Sequence, residues 1–74
     1  MNVEVGKTYR HFKGHLYKVI AVAKHSETLE KMVVYQNTAD GKDIWSRPYD
    51  MFLEKVDKEK YPDVNQEYRF QQID

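Results

Sequence analysis

The sequence contains no cysteine and has only two prolines, three glycines and one tryptophan. Without cysteine, disulfide bonds and thiolate metal ligands are excluded, and a reducing cytoplasm is the compartment that we expect. Long apolar runs are missing as well, because no stretch approaches the ~20 apolar residues that span a bilayer. Residues 1–8 also lack the pattern of a signal peptide. We therefore expect a soluble chain that is neither secreted nor inserted in a membrane.

An excess of charge of either sign is also absent, since 12 basic side chains balance 12 acidic ones. This balance argues against the strongly basic surface of most nucleic-acid-binding proteins. The charges are unevenly distributed, however. Residues 1–37 carry six basic and three acidic side chains, whereas residues 38–74 carry six and nine. A local basic patch is therefore compatible with the neutral total.

Aromatic side chains are abundant, with ten among the 74 residues. A chain of this length forms one domain, which we place at residues 1–74, and such a domain buries only about 60% of the surface that its unfolded chain exposes. Aromatic side chains bury large areas and so compensate for the short chain. We expect Trp45 to be mostly buried in this core.

Short apolar and aromatic segments separated by turn residues predict strands rather than helices. Four such segments precede Pro48, at residues 7–12, 15–25, 31–36 and 43–47. The turns between them are predicted at Lys13-Gly14, at residues 26–28 and at Asp40-Gly41. Residues 19–23 are continuously apolar, which predicts a strand that is buried on both faces.

Pro48 ends the fourth strand, because it lacks the N–H group of a ladder and favours the first position of a helical turn. We expect a short 3₁₀ or α turn at residues 49–53 that closes one end of a barrel with Met51 and Phe52.

The last third of the chain begins with a charged and polar stretch that contains Pro62. It predicts an exposed loop at residues 57–67, the most mobile internal segment. Residues 68–73 alternate in polarity and predict a fifth, terminal strand. The fold class is thus all-β, a small five-stranded antiparallel SH3-like barrel with a short 3₁₀ or α turn.

Several short polar and aromatic motifs are similar to those of a known bacterial family. They are Tyr9-Arg10-His11-Phe12-Lys13-Gly14, Tyr17 with Val19, His25-Ser26-Glu27-Thr28, Val33-Val34-Tyr35-Gln36, and Trp45-Ser46-Arg47-Pro48 running into Met51-Phe52-Leu53-Glu54. Over roughly residues 9–56 the sequence resembles the small proteins grouped as domain of unknown function 1653. Residues 37–44 and Ser46, where a valine is usual, depart from the family pattern. The resemblance implies an SH3-like barrel and supplies no activity.

Six polar residues within these motifs are candidates for ligand binding. They are His11, His25, Ser26, Glu27, Thr28 and Arg47. Gathered at one end of a barrel, two imidazoles, a carboxylate and a guanidinium suit a small anionic or nucleotide-like ligand. A structural interpretation fits at least as well. In it, Ser26 and Thr28 cap a turn and Glu27 forms a salt bridge with Arg47.

A catalytic or metal-dependent role is the least favoured. His25 or His11 would have to act as the base for Ser26, but neighbouring residues on a strand point apart and the Gly-x-Ser-x-Gly elbow is missing. A zinc site would need His11, His15, His25 and Glu27, which show no recognised ligand spacing. We expect no catalytic residue, metal or cofactor, and a small metal- or histidine-dependent hydrolase is the remote alternative.

A further candidate surface combines basic and aromatic residues. Its members are Tyr9, Arg10, Tyr17, Tyr35 and Trp45. Tyrosines beside basic groups suit stacked bases of single-stranded nucleic acid, and Trp45 with Tyr9 suits a groove for an extended peptide. Burial of these rings in the core is the alternative. Our favoured expectation is a non-catalytic binding module for a peptide or protein partner, ahead of nucleic acid or a small anionic ligand.

Overall fold

Five antiparallel strands and one short helix make up the fold in the computed structural model, which describes residues 2–74. The elements in chain order are β1 (Thr8–His11), β2 (Leu16–Lys24), β3 (Lys31–Asn37), β4 (Ile44–Pro48), the helix α1 (Tyr49–Phe52) and β5 (Phe70–Gln72). All five strands belong to one sheet in the order β4-β3-β2-β1-β5. The predicted all-β class, with five antiparallel strands and one short helical turn, is confirmed.

The sheet is open and is not closed into a barrel. Strands β4 and β5 are its two edges, and no strand pairing joins them within residues 2–74. The longest ladder joins β2 to β3, and its register shifts between Val19 and Ala21, as at a β-bulge. One face of the sheet carries the buried side chains and is called the inner face below.

The first hairpin forms where the sequence predicts it. Gly14 has a φ of 103°, a conformation that glycine adopts at little cost, and its N–H donates to the carbonyl of His11 over 2.8 Å. The N–H of His11 donates to the carbonyl of His15, also over 2.8 Å. These two bonds close the turn, so the hairpin depends on the glycine.

The core is an aromatic cluster beneath the inner face. Its buried members are Val3, Tyr9, Val19, Val33, Tyr35, Phe52 and Phe70. The ring of Phe52 stacks on that of Phe70 with centroids 4.1 Å apart, and it meets Tyr9 and Tyr35 edge-on at 5.4 and 5.6 Å. Helix α1 therefore closes one end of the core with Phe52, as predicted. Met51 is 50% exposed and takes no part in it.

Residues 19–23 do not form the strand buried on both faces that their composition predicts. Val19 is fully buried, but Ile20 and Val22 are 41% and 37% exposed. The core lies on one face of a single sheet, and among residues 2–74 no second sheet or further helix is present to cover the outer side of β2. The prediction is wrong because apolar composition alone does not show how many layers a fold has.

Trp45 is not the buried core residue that its size predicts. It pairs with Tyr35 across the β3–β4 ladder, yet its side chain is 51% exposed. The reason is its position on an edge strand, where no neighbouring strand covers its second side.

Residues 57–67 consist of turns whose side chains are mostly exposed. The segment is anchored at several points. The N–H of Val56 donates to the carbonyl of Glu67 over 2.8 Å, and the ring of Tyr61 lies 4.9 Å from that of Phe12. Strand β5 then occupies Phe70–Gln72 within the predicted range 68–73. The high mobility of residues 57–67 stays a prediction.

Candidate functional site

The six candidate ligand-binding residues do not form one site. His11 ends β1 beside the start of β2, whereas His25 follows the far end of β2. Strand β2 has nine residues, and at about 3.3 Å per residue it places the two imidazoles at opposite ends of the sheet. His11 and Arg47 line one concave region of the surface, and residues 25–28 do not line it.

The motif His25-Ser26-Glu27-Thr28 forms a turn in which two side chains, those of His25 and Thr28, accept hydrogen bonds from the local backbone. Nδ1 of His25 accepts the N–H groups of Glu27 and Thr28 at 3.2 and 3.3 Å, and Oγ1 of Thr28 accepts the N–H of Glu30 at 3.2 Å. The N–H of Leu29 returns to the carbonyl of His25 over 2.9 Å. These contacts give His25 and Thr28 a structural role in the turn between β2 and β3.

The predicted salt bridge between Glu27 and Arg47 is wrong. The ion pairs within residues 2–74 join Lys55 to Glu67 and Arg69 to Glu54. Arg47 pairs with the buried Val33 in the ladder, so its side chain lies on the inner face, and its guanidinium carbon is 5.3 Å from the ring centroid of Phe70. Glu27 lies in the exposed turn between β2 and β3 and forms no ion pair within the described residues.

Arg47 instead lines a concave region that we call the basic groove, with a volume of about 320 Å³. Its lining residues are His11, Phe12, Lys13, Arg47, Asp57, Lys60, Tyr61 and Arg69. Four of these side chains are permanent cations and one is a carboxylate. Arg69 is paired with Glu54 at 3.6 Å, while Lys13, Arg47 and Lys60 have no ion pair within the described residues. The groove therefore concentrates positive charge in a protein whose net charge is zero.

Two aromatic rings position the lysines of the basic groove. Nζ of Lys13 lies 5.9 Å from the ring centroid of Phe12 and 5.6 Å from that of Tyr61. Nζ of Lys60 lies 5.5 Å from the ring of Tyr61. Such contacts between a cation and a ring face hold the ammonium groups near the groove, which reduces the entropy that a ligand would otherwise have to remove.

The pKa of His11 is affected by burial and by the positive charges of the basic groove. Burial, together with the smaller effects of the charges of Arg47, Lys13, His15 and Arg69, lowers its pKa from 6.5 to about 4. Its Nδ1 accepts the N–H of Lys13 over 3.1 Å. At neutral pH the imidazole is therefore uncharged and carries its proton on Nε2, which is a hydrogen-bond donor.

The second notable surface is the free side of β4. Ile44 and Trp45 are 61% and 51% exposed there, and no backbone hydrogen bond within residues 2–74 reaches the side of β4 that faces away from β3. The opposite edge of the sheet is different. The N–H of Arg69, just before β5, donates to the carbonyl of Glu54 over 2.9 Å, and Tyr68 forms a β-bridge with Lys55. The chain itself thus covers part of one edge and leaves the other free.

The predicted basic and aromatic surface does not assemble as one platform. Tyr9 and Tyr35 are 4% and 6% exposed, so a nucleic-acid base cannot stack on them. Tyr17 is half-buried against the core. Arg10 faces outward and donates to the side-chain oxygens of Gln66 and Gln71. Of the five candidates, Trp45 is the aromatic residue with a largely exposed ring.

Another concave region, of about 510 Å³, is lined by Tyr9, Leu53, Phe70 and several amide side chains. Three of the five amides that line it, those of Gln66, Gln71 and Gln72, already form hydrogen bonds. Nε2 of Gln66 donates to the carbonyls of Arg10 and Tyr68, and Nε2 of Gln72 donates to Glu4. These hydrogen bonds leave Gln66 and Gln72 less available to a ligand.

Sequence analysis missed Asp57, Lys60, Tyr61 and Arg69 as lining residues of the groove. The available signal was Lys60-Tyr61, a basic residue beside the only aromatic residue in a polar stretch. Nothing local indicates that this pair folds back onto Phe12, because that contact spans most of the chain.

Two kinds of feature are absent among residues 2–74, clusters of metal ligands and helices of membrane-spanning length. Across residues 2–74, no three side chains of histidine, aspartate or glutamate lie close enough to hold a metal ion. In the same part of the chain, no helix has the length and apolar character needed to cross a membrane.

Comparison with known protein families assigns the chain. Residues 7–72 match the family model described as Protein of unknown function (DUF1653). The chain belongs to this family. The matched range runs beyond the motifs at residues 9–56 and includes residues 57–67 and β5, so the groove lies inside the family domain. No curated protein and no solved structure matches the chain.

Proposed function

We propose that this family member is a non-catalytic binding module that recognises an extended peptide segment of a partner protein along β4. The observation that carries the proposal is the free edge of β4 with Ile44 and Trp45 exposed on it. A free edge presents N–H and C=O groups that an added strand can pair with. Tryptophan is also the residue type most enriched among side chains that dominate binding energy.

The geometry of strand addition defines the peptide. Successive side chains of β4 alternate between faces, so Ile44 and Trp45 contact different faces of an added strand. Five residues of β4 span about 17 Å, which accommodates a peptide of about five residues. We expect an extended peptide with an aromatic or bulky apolar residue beside Trp45 and a second apolar residue beside Ile44.

The composition of β4 favours an edge that pairs with a partner strand over an edge that is blocked against pairing. Exposed edge strands are usually blocked by lysine, by inward-pointing charge or by proline. Strand β4 has no lysine, and its two blocking residues, the inward-pointing Arg47 and Pro48, are the last two of the strand. Ile44 and Trp45 lie at the unblocked end, which favours a surface that is covered by a partner in use.

Peptide display on the intact protein tests this proposal. Peptides selected by the native chain should bind Trp45→Ala at least tenfold more weakly, because a buried tryptophan anchor contributes more than ~1.4 kcal/mol. Ile73→Ala is the matched control, since Ile73 is 45% exposed but lies beyond β5. Amide chemical shifts of residues 44–48 should move on binding. If the selected peptides bind Trp45→Ala unchanged, or leave these amides unmoved, the proposal is wrong.

We also propose that the open sheet is an SH3-like barrel whose gap lies between β4 and β5, in a protein of the cytoplasm. The contact of Arg47 on β4 with Phe70 on β5 supports this arrangement, because it bridges the two edge strands across the core. The absence of cysteine agrees with a reducing compartment. An experimental structure in which β4 and β5 diverge, with Arg47 far from Phe70, would contradict the barrel.

A further inference from the structure

We propose that the basic groove is a second binding site, separate from the edge of β4, and that it binds a dianionic phosphate group. The group is either inorganic phosphate or the terminal phosphate of a small monoester. This inference goes beyond peptide recognition and does not depend on it, because Trp45 and Ile44 do not line the groove.

The first argument is charge. Lys13, Arg47 and Lys60 have no ion pair within the described residues, and Asp57 is the single carboxylate of the lining. Arg69 adds a fourth cation that is shared with Glu54 at 3.6 Å. The uncompensated charge is thus close to two positive units, which matches a phosphate dianion better than a single carboxylate.

The second argument is the type and position of the donors. Arg47 provides a planar fork that binds two phosphate oxygens at once, and the two ammonium groups act as point charges beside it. His11 is neutral with its proton on Nε2, so it offers a donor without adding charge. The lysines are already held over the rings of Phe12 and Tyr61. The donors therefore need little ordering when an anion enters.

The third argument is size. A volume of about 320 Å³ is at the small end of the range for ligand sites. It accommodates a phosphate with a small substituent. The rings of Phe12 and Tyr61 provide the apolar wall that such a substituent requires.

Titration of the native chain with inorganic phosphate, followed by NMR at constant ionic strength, tests the site. The amides of residues 11–13 and 57–61 should shift saturably, whereas acetate at the same ionic strength should leave them nearly unchanged. Bound phosphate should also raise the pKa of His11, because it neutralises the cations that lower it. No saturable shift up to about 50 mM phosphate, far above a millimolar dissociation constant, would overturn the proposal.

Matched variants separate the site from general charge. Lys60→Gln and Arg47→Gln should each weaken phosphate binding by about tenfold. Lys18→Gln, an exposed lysine of β2 outside the groove, should not. Lys60 lies in an exposed turn, so its variant remains informative if Arg47→Gln does not fold. Equal losses in Lys18→Gln and Lys60→Gln would show only non-specific attraction and would refute the site.

A further arm of the titration identifies the source of the phosphate. Adenosine monophosphate presents a terminal dianion, whereas a single-stranded oligonucleotide presents phosphodiesters with one charge each. Saturable binding of the monoester at least as tight as that of inorganic phosphate supports the proposal. If the oligonucleotide binds more tightly than the monoester, with a steep dependence on salt concentration, the groove is a nucleic-acid-binding site and the phosphate assignment is wrong. Trp45→Ala should leave every phosphate result unchanged, so this test and the peptide test fail independently.

Discussion

The aromatic core predicts a sharp contrast between two large side chains. Phe52 is 1% exposed, stacks on Phe70 at 4.1 Å and meets Tyr9 and Tyr35 edge-on. Truncation to alanine removes these contacts and leaves a cavity, which costs about 3–5 kcal/mol. A domain of 74 residues has roughly 4–11 kcal/mol of total stability. Phe52→Ala should therefore bring the protein close to unfolding at 25 °C.

Trp45→Ala provides the comparison, because the larger ring should matter less. About half of the Trp45 side chain is already in water, and its removal opens to solvent instead of forming a closed cavity. Half of the area that a buried tryptophan contributes corresponds to at most about 3 kcal/mol at 25 cal/mol per Å². The area estimate is an upper bound, so we expect a loss of about 1–2 kcal/mol.

Urea unfolding followed by far-ultraviolet circular dichroism measures both variants, since loss of the only tryptophan removes the usual fluorescence signal. The fluorescence of the native chain adds an independent test: emission from Trp45 should be typical of a solvent-exposed indole and should be readily quenched by acrylamide. The reasoning is refuted if Trp45→Ala costs as much stability as Phe52→Ala, or if the native emission is that of a buried indole.

The remaining predictions concern the basic groove and the first hairpin. The pKa of His11 is about 4 in the folded protein and 6.5 in the unfolded chain, so its contribution to stability is fully present above pH ~6.5 and is lost as the pH falls toward 4. In urea unfolding, the free energy of unfolding should fall less between pH 7 and pH 5 for His11→Gln than for the native protein. Equal decreases in the two proteins would contradict the assignment of this pKa to His11. Arg47→Gln should raise the pKa of His11 in an NMR titration, because it removes a neighbouring cation. Gly14→Ala should cost about 1–2 kcal/mol in urea unfolding, because the φ of 103° is strained for alanine although its Cβ would meet no atom within 4 Å; an unchanged midpoint would contradict it.

Local chemistry accounts for the parts of the fold that the sequence predicts well. Gly14 and the turn at residues 26–28 determine where the chain reverses. Alternating polarity predicts β3, and Pro48 predicts the short helix that follows it. Each of these features depends on interactions between residues close in the chain. Sequence patterns describe such interactions directly.

Long-range neighbours explain the errors. Whether Trp45 is buried depends on which strand lies beyond β4, and the exposure of Ile20 depends on whether a second layer covers the outer face. The same holds for Glu27 and Arg47, which do not pair because the side chain of Arg47 lies on the inner face against Phe70, a residue distant in the chain. Composition identifies these side chains as notable, but it does not identify what they contact.

Two of the family's sequence motifs differ in how their side chains are bonded. In the motif His25-Ser26-Glu27-Thr28, Nδ1 of the imidazole and the threonine hydroxyl accept hydrogen bonds from the backbone of their own turn, so these two groups stabilise the turn. In the motif Trp45-Ser46-Arg47-Pro48, the side chains of Trp45 and Arg47 have no hydrogen bond or ion pair to another described residue, although the strand that carries them is well paired with β3. A rigid strand that presents unsatisfied groups is the arrangement that binding requires. Strand β4 is therefore the element in which substitutions test both proposals. Substitution of Trp45 tests peptide binding at the edge, and substitution of Arg47 tests phosphate binding in the basic groove.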